Sequence, residues 1–156
     1  MKIWFDTEFI EDGNTIDLIS IGMAREDGAG LYLESSECDF SRADLWVKEN
    51  VIAHLSGNTT TRADIARQVR SFAGDAPEFW AYYADYDWVV LCQLYGRMID
   101  LPTGWPMYCR DLKQSADERG VDLSTIPNLQ EHNAHSDAKW CRDAYRAMIT
   151  AAREGK

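Results

Sequence analysis

At 156 residues, with 46% hydrophobic and 27% charged side chains, the chain has the length and composition of one soluble globular domain, which excludes disordered, fibrous and disulfide-stapled classes. A formal net charge of −10 excludes a broad basic surface for long nucleic acid, but not an enzyme that grips a few nucleotides through metal ions. The start, MKIWFDTEF, holds no apolar run long enough for a signal peptide or membrane helix, and four widely spaced cysteines without a C-x-x-C pair fit the reduced thiols of a cytoplasmic protein rather than a zinc site.

In chain order, residues 2–10 and 15–25 are apolar, β-branched-rich runs separated by Glu11-Asp12-Gly13-Asn14, a turn composition that predicts an antiparallel pair. Asp27-Gly28 precedes a third run at 30–34, so a three-strand meander is expected. Ser41 with Asp44 three residues on, ahead of Leu45, Trp46, Val47, Val51 and Leu55, predicts a capped amphipathic helix that Gly57-Asn58 ends. Thr61 and Asp64 repeat the pattern before a helix over 62–73 closed by Gly74. The aromatic run 78–83 reads as a strand buried on both faces. A helix over 86–98, a short strand at 107–109, a helix over 111–119 and a final helix over 134–152 follow. This order predicts an α/β fold in a single domain, 1–156: a mixed five-stranded sheet flanked by helices, in which a three-strand antiparallel meander is joined by two parallel strands.

Within the first strand, Asp6 and Glu8 are two apart and so project to one face, while Phe5, Thr7 and Phe9 project to the other. Two like charges about 4 Å apart repel by roughly 4 kcal/mol at an effective dielectric near 20, so the pair needs solvent, a shared proton or a cation. Two helices add to it. From Asp87, offsets of four, seven, eight and eleven reach Leu91, Leu94, Tyr95 and Met98; from Asp137 the same offsets reach Cys141, Ala144, Tyr145 and Met148. Each aspartate therefore heads a core-facing stripe, where an unpaired carboxylate costs several kcal/mol. A metal site of four carboxylates accounts for both. His132, five residues ahead of Asp137, stands where a histidine can lie beside such a metal and take a proton near neutral pH.

With Asp6-x-Glu8, then Asp87, then His132-x4-Asp137, the chain resembles the DEDDh family of 3′-to-5′ exonucleases, which have the ribonuclease H-like fold. Through DTEFIEDG at 6–13, LISIG at 18–22 and YDWVVLCQLYG at 86–96 it is similar to that family's polyadenylate-specific exoribonuclease AS group. It departs from many members at Tyr83, where they carry asparagine four residues ahead of the second-motif aspartate.

The resemblance implies two divalent cations, Mg2+ or Mn2+. Asp6, Glu8 and Asp137 bind one directly, Asp6 bridges to the second, Asp87 helps through water, and His132 is the general base on the attacking water. It implies nucleoside 5′-monophosphate products, a single-stranded RNA substrate with a preference for adenosine-rich 3′ ends, and a homodimer. Thr7 and Phe9, beside the metal carboxylates, either touch the terminal nucleotide or fill the core. Tyr86 and Trp88 either stack on a base or pack inside. A proofreading-type DNA exonuclease and a catalytically silent nucleic-acid-binding domain are the alternatives.

Overall fold

The computed structural model describes residues 1–128 and 131–154, without the side chains of 153 and 154. Its strands are β1 (Lys2–Glu11), β2 (Ile16–Arg25), β3 (Gly30–Ser35), β4 (Thr59–Thr60), β5 (Glu78–Ala81) and β6 (Arg110–Asp111). Its helices are α1 (Leu45–Asn50), α2 (Arg62–Ala73), α3 (Asp85–Gln93), α4 (Leu112–Glu118) and α5 (Ala134–Glu154). They form one mixed sheet in the order β4-β3-β2-β1-β5-β6. The meander β1-β2-β3 is antiparallel and β1-β5-β6 is parallel, as expected.

The sheet has six strands rather than five, because β4 pairs in parallel with the end of β3, Glu34↔Thr59 and Ser35↔Thr60. Two threonines in a polar connection carry no period that a sequence pattern can register.

Other boundaries moved for local reasons. The helix expected from Ser41 to Leu55 is split into two single 3₁₀ turns and α1, and its cap is Asp44, whose carboxylate accepts the Val47 N–H at 2.8 Å. The strand expected over 78–83 stops at Ala81, since Tyr83 adopts φ 55. The helix expected to run to Met98 ends at Gln93, so Leu94 and Tyr95 still pack on the core while Met98 is exposed. The strand expected at 107–109 lies at Arg110–Asp111. By contrast α2 has the expected bounds, with the Thr61 hydroxyl accepting the Asp64 N–H and Gly74 closing it at φ 76.

Alternation along β1 divides the core. Ile3 and Phe5 join Ile21, Met23, Ile65, Val69, Phe79 and Leu91 under α2 and α3. Trp4 joins Trp80, Leu112, Cys141, Ala144 and Met148 under α4 and α5. Asp6 and Glu8 share the parity of Trp4, so they face the α5 side, and Thr7 faces α3.

Two irregularities open the sheet where these residues lie. The β1–β5 ladder ends at Trp4↔Trp80, leaving Asp6, Thr7 and Glu8 beyond it, where β1 and β5 part at the carboxyl end of β5. The β1–β2 register also shifts between Glu8 and Phe9, a bulge whose extra residue, Ile19, lies on β2, so Phe9 keeps the face of Phe5 and Thr7 and lines the cleft from that side. No helix among the described residues is long and apolar enough to cross a membrane.

Candidate active site

Asp6 and Glu8 on β1 and Asp137 in the first turn of α5 each place a carboxylate oxygen within 4.8 Å of the others. Their surroundings differ from those of the buried acids Glu34 and Asp17. Glu34 accepts from the Ser56 N–H (2.7 Å), the Gly57 N–H (2.9 Å) and the Tyr32 hydroxyl (3.0 Å), and Asp17 pairs with Arg62 and Arg42. Around Asp6 and Glu8, among the described residues, burial and the neighbouring charges all disfavour the charged form. Burial, then Asp87, Glu8 and Asp137, hold the Asp6 carboxyl well above its ordinary range. Burial, then Asp137 and Asp87, push Glu8 up to about 7. Clustered oxygens that strain to ionise are what a hard divalent cation relieves, so the donor set fits a metal.

Asp87 reaches the cluster from the other face of the sheet. Buried at the start of α3, its Oδ1 accepts both the Thr7 backbone N–H at 2.8 Å and the Thr7 hydroxyl at 2.6 Å. This amide points into the gap past the end of the β1–β5 ladder, and Asp87 fills the place of a missing strand partner. Burial raises Asp87 to about 6 against those two hydrogen bonds. The start of α3 is itself held from outside, since Asp111 accepts the Ala84 N–H at 2.7 Å with one oxygen and the Gln114 N–H, capping α4, at 2.8 Å with the other.

Asp137 is fixed at both oxygens: Asn128 Nδ2 donates to Oδ1 and the Asn133 N–H donates to Oδ2 at 3.2 Å. Burial still leaves its carboxyl above the ordinary value. Asn133 also caps α5, its Oδ1 accepting the Ser136 N–H at 3.1 Å.

His132 adopts φ 65 in the loop before α5 and lines two cavities that meet at the carboxylates. One, of about 480 Å³, is walled by Phe9, Trp46, Val47, Tyr83 and Tyr86. The other, of about 610 Å³, is walled by Leu123, Ile126, Pro127 and Trp140.

Asp6, Glu8, Asp87, Asp137, His132, Thr7 and Phe9 thus come together around one cleft. Trp88 does not join them; it lies against the inner core with its ring 5.6 Å from that of Phe79. Tyr86 is the half-exposed ring in the cleft, 5.9 Å from Phe9. Tyr83 is also exposed there, a bulky residue in the left-handed region that asparagine tolerates better.

The sequence reading missed Asn128, Asn133, Gly22 and Trp46. Of these Asn133 had a local signal, its cap position before an amphipathic helix. Gly22 lies opposite Asp6 in the β1–β2 register, and a Cβ there would stand 2.1 Å from the Ala134 carbonyl oxygen. Only glycine lets the first turn of α5 come down onto β2 and bring Asp137 to Asp6. Gly22→Ala is expected to cost about 1–3 kcal/mol in urea unfolding and to weaken Mn2+ binding measured by calorimetry. Unchanged Mn2+ affinity would show that α5 does not depend on this contact.

Comparison with known proteins gives the family. The 3′-5′ exoribonuclease Rv2179c-like domain family matches residues 1–149. Two proteins of Mycobacterium tuberculosis, 3′-5′ exoribonuclease Rv2179c of strain ATCC 25618 / H37Rv and 3′-5′ exoribonuclease MT2234.1 of strain CDC 1551 / Oshkosh, are each 39% identical over 147 residues, 89% of this chain and 88% of the relative. A chain in the structure of yeast NOT1 MIF4G domain co-crystallised with CAF1 aligns at 13% identity with a TM-score of 0.49, covering 94% of this chain and 80% of that one. A match over nearly the whole length, and a shared identity of this size, make the chain a member of the Rv2179c-like 3′-5′ exoribonuclease domain family.

Proposed function

We propose that this 3′-5′ exoribonuclease releases nucleoside 5′-monophosphates from single-stranded RNA by hydrolysis at a centre of two divalent cations, with His132 as general base. The observation that carries this reading is the convergence of Asp6, Glu8 and Asp137 with nothing among the described residues that favours the charge of Asp6 and Glu8. An all-oxygen donor set suits Mg2+ or Mn2+. Asp6, Glu8 and Asp137 would hold one ion, and Asp6 with Asp87 would serve the second. Such ions supply the positive charge that activates a water and stabilises the leaving oxygen of an in-line displacement.

The chain's own residues orient this chemistry. Thr7 locks Asp87 Oδ1, Asn128 and Asn133 lock Asp137, and His132, at the meeting of the two cavities, accepts the proton of the attacking water. Phe9 and Tyr86 offer ring faces to the terminal base. The same reading includes a preference for adenosine-rich 3′ ends, as in the polyadenylate-specific exoribonuclease AS group, and a homodimer. Four free thiols support a reducing, cytoplasmic setting.

The test is a time course with matched 5′-labelled RNA and DNA oligomers in Mg2+. RNA is expected to shorten from its 3′ end at least about tenfold faster than DNA, because a site that contacts the 2′-hydroxyl loses those contacts on DNA. Adenosine-rich ends are expected to shorten fastest. DNA trimming at an equal or higher rate would overturn the RNA assignment.

A further inference from the structure

Trp46 is the large aromatic of the cleft that none of the motif residues accounts for. It lies in α1, a helix that buries none of its own residues, and it remains 50% exposed. A tryptophan kept half in water on a short helix has no core role to explain it. The anchor of this segment is elsewhere: Val51, at the end of α1, is buried with Ile10, Ile19 and Ala43, and Val47 packs on that cluster. The side chain of Trp46 instead meets His132 edge to face, with ring centroids 4.7 Å apart and planes at 84°.

His132 sits in a loop at φ 65, in the left-handed backbone region, so its ring direction is not set by a regular element. Both residues line the cavity that holds Asp6, Glu8, Asp87 and Asp137. A perpendicular contact between indole and imidazole restricts the imidazole's rotation and, unlike a carboxylate partner, takes no proton from its nitrogens.

We propose that Trp46 is a positioning residue for His132, holding the imidazole at the angle from which it takes the proton of the attacking water. This rests on the assignment of His132 as general base. It also gives α1 a role: a strut, pinned through Val47 and Val51, that carries an aromatic wall to the base.

The test uses the full-length protein in Mg2+ on an RNA oligomer, with Trp46→Leu, Trp46→Phe, His132→Ala and the Trp46→Leu/His132→Ala double variant. Trp46→Leu is expected to lower kcat about 10- to 100-fold with little change in KM or melting temperature, and Trp46→Phe to recover most of the loss. In the His132→Ala background, Trp46→Leu is expected to change kcat by less than about twofold, because its partner is already gone.

In aromatic NMR spectra, the ring protons of His132 are expected to lose an indole ring-current shift in Trp46→Leu, while those of His54 and His135 stay in place. A rise in KM with kcat unchanged, or equal losses in the two backgrounds, would reduce Trp46 to a substrate wall and overturn the proposal. Full activity in His132→Ala would instead overturn the general-base assignment itself, and the NMR shift would then report a contact without a catalytic role.

Discussion

Asp6→Asn is expected to abolish turnover, by at least about 10³-fold, and at the same time to make the cation-free protein more heat-stable. The activity loss follows from removing the carboxylate shared by both proposed cations. The stability gain follows from its neighbours: burial and the charges of Asp87, Glu8 and Asp137 all oppose ionisation of Asp6. Asparagine keeps the shape and drops the charge.

The pH dependence carries the same sign. Glu8 titrates near 7 and Asp87 near 6 in the folded protein, against 4.5 and 3.8 for the unperturbed groups. Between these limits the folded state keeps protons that the unfolded chain releases. The contribution of these two groups to cation-free stability is therefore fully present near and below about pH 4 and is lost as pH rises to about 7, by on the order of 3 kcal/mol for Glu8 alone. In EDTA at about pH 7.5, differential scanning should show Asp6→Asn melting about 5 °C or more above wild type. Adding Mn2+ should reverse the order, since the wild type alone gains binding free energy. A variant that melts below wild type in EDTA would remove the electrostatic case for a metal at this position.

His132→Ala is expected to lower kcat by about 10²–10⁴-fold, the usual worth of a positioned general base, while leaving the Mn2+ isotherm close to wild type. The separation of effects is the point of the experiment. The oxygens that would hold cations belong to Asp6, Glu8 and Asp137, and Asn128 and the Asn133 amide hold Asp137 without the imidazole. A loss of Mn2+ binding equal to the loss of rate would make His132 a structural support of α5. A kcat within about threefold of wild type would mean that water gives up its proton to another group.

Much of this site could be read along the chain because it is built from short-range periodicities. Alternation put Asp6 and Glu8 on one face of β1, and helical stripes put Asp87 and Asp137 at the heads of buried faces. The motif order then pointed to a 3′-to-5′ exonuclease, and the family match gives the coarser part of that reading, a 3′-5′ exoribonuclease domain. Positions that depend on packing between distant segments could not be read this way. Trp88 had the right neighbours in sequence for a stacking ring, yet α3 docks with it turned inward against Phe79, and Tyr86 faces the cleft instead. Phe9 keeps the face that alternation gives it, beside Phe5, and what brings it to the cleft is the neighbouring ring of Tyr86 on α3.

The sequence by itself indicated an α/β fold with an antiparallel meander joined by parallel strands, the five candidate residues of the constellation and a 3′-to-5′ exonuclease, because each is written in spacing within one element or in the order of motifs. Only the tertiary structure decided how the carboxylates meet: β5 parting from β1 after Trp4, Thr7 tying Asp87 across the gap, Gly22 letting α5 settle, and Trp46 standing against His132. The physical reason is range. Periodicity aims a side chain within its own strand or helix, but which side chains then touch is set by how those elements pack, and packing is a property of the whole core.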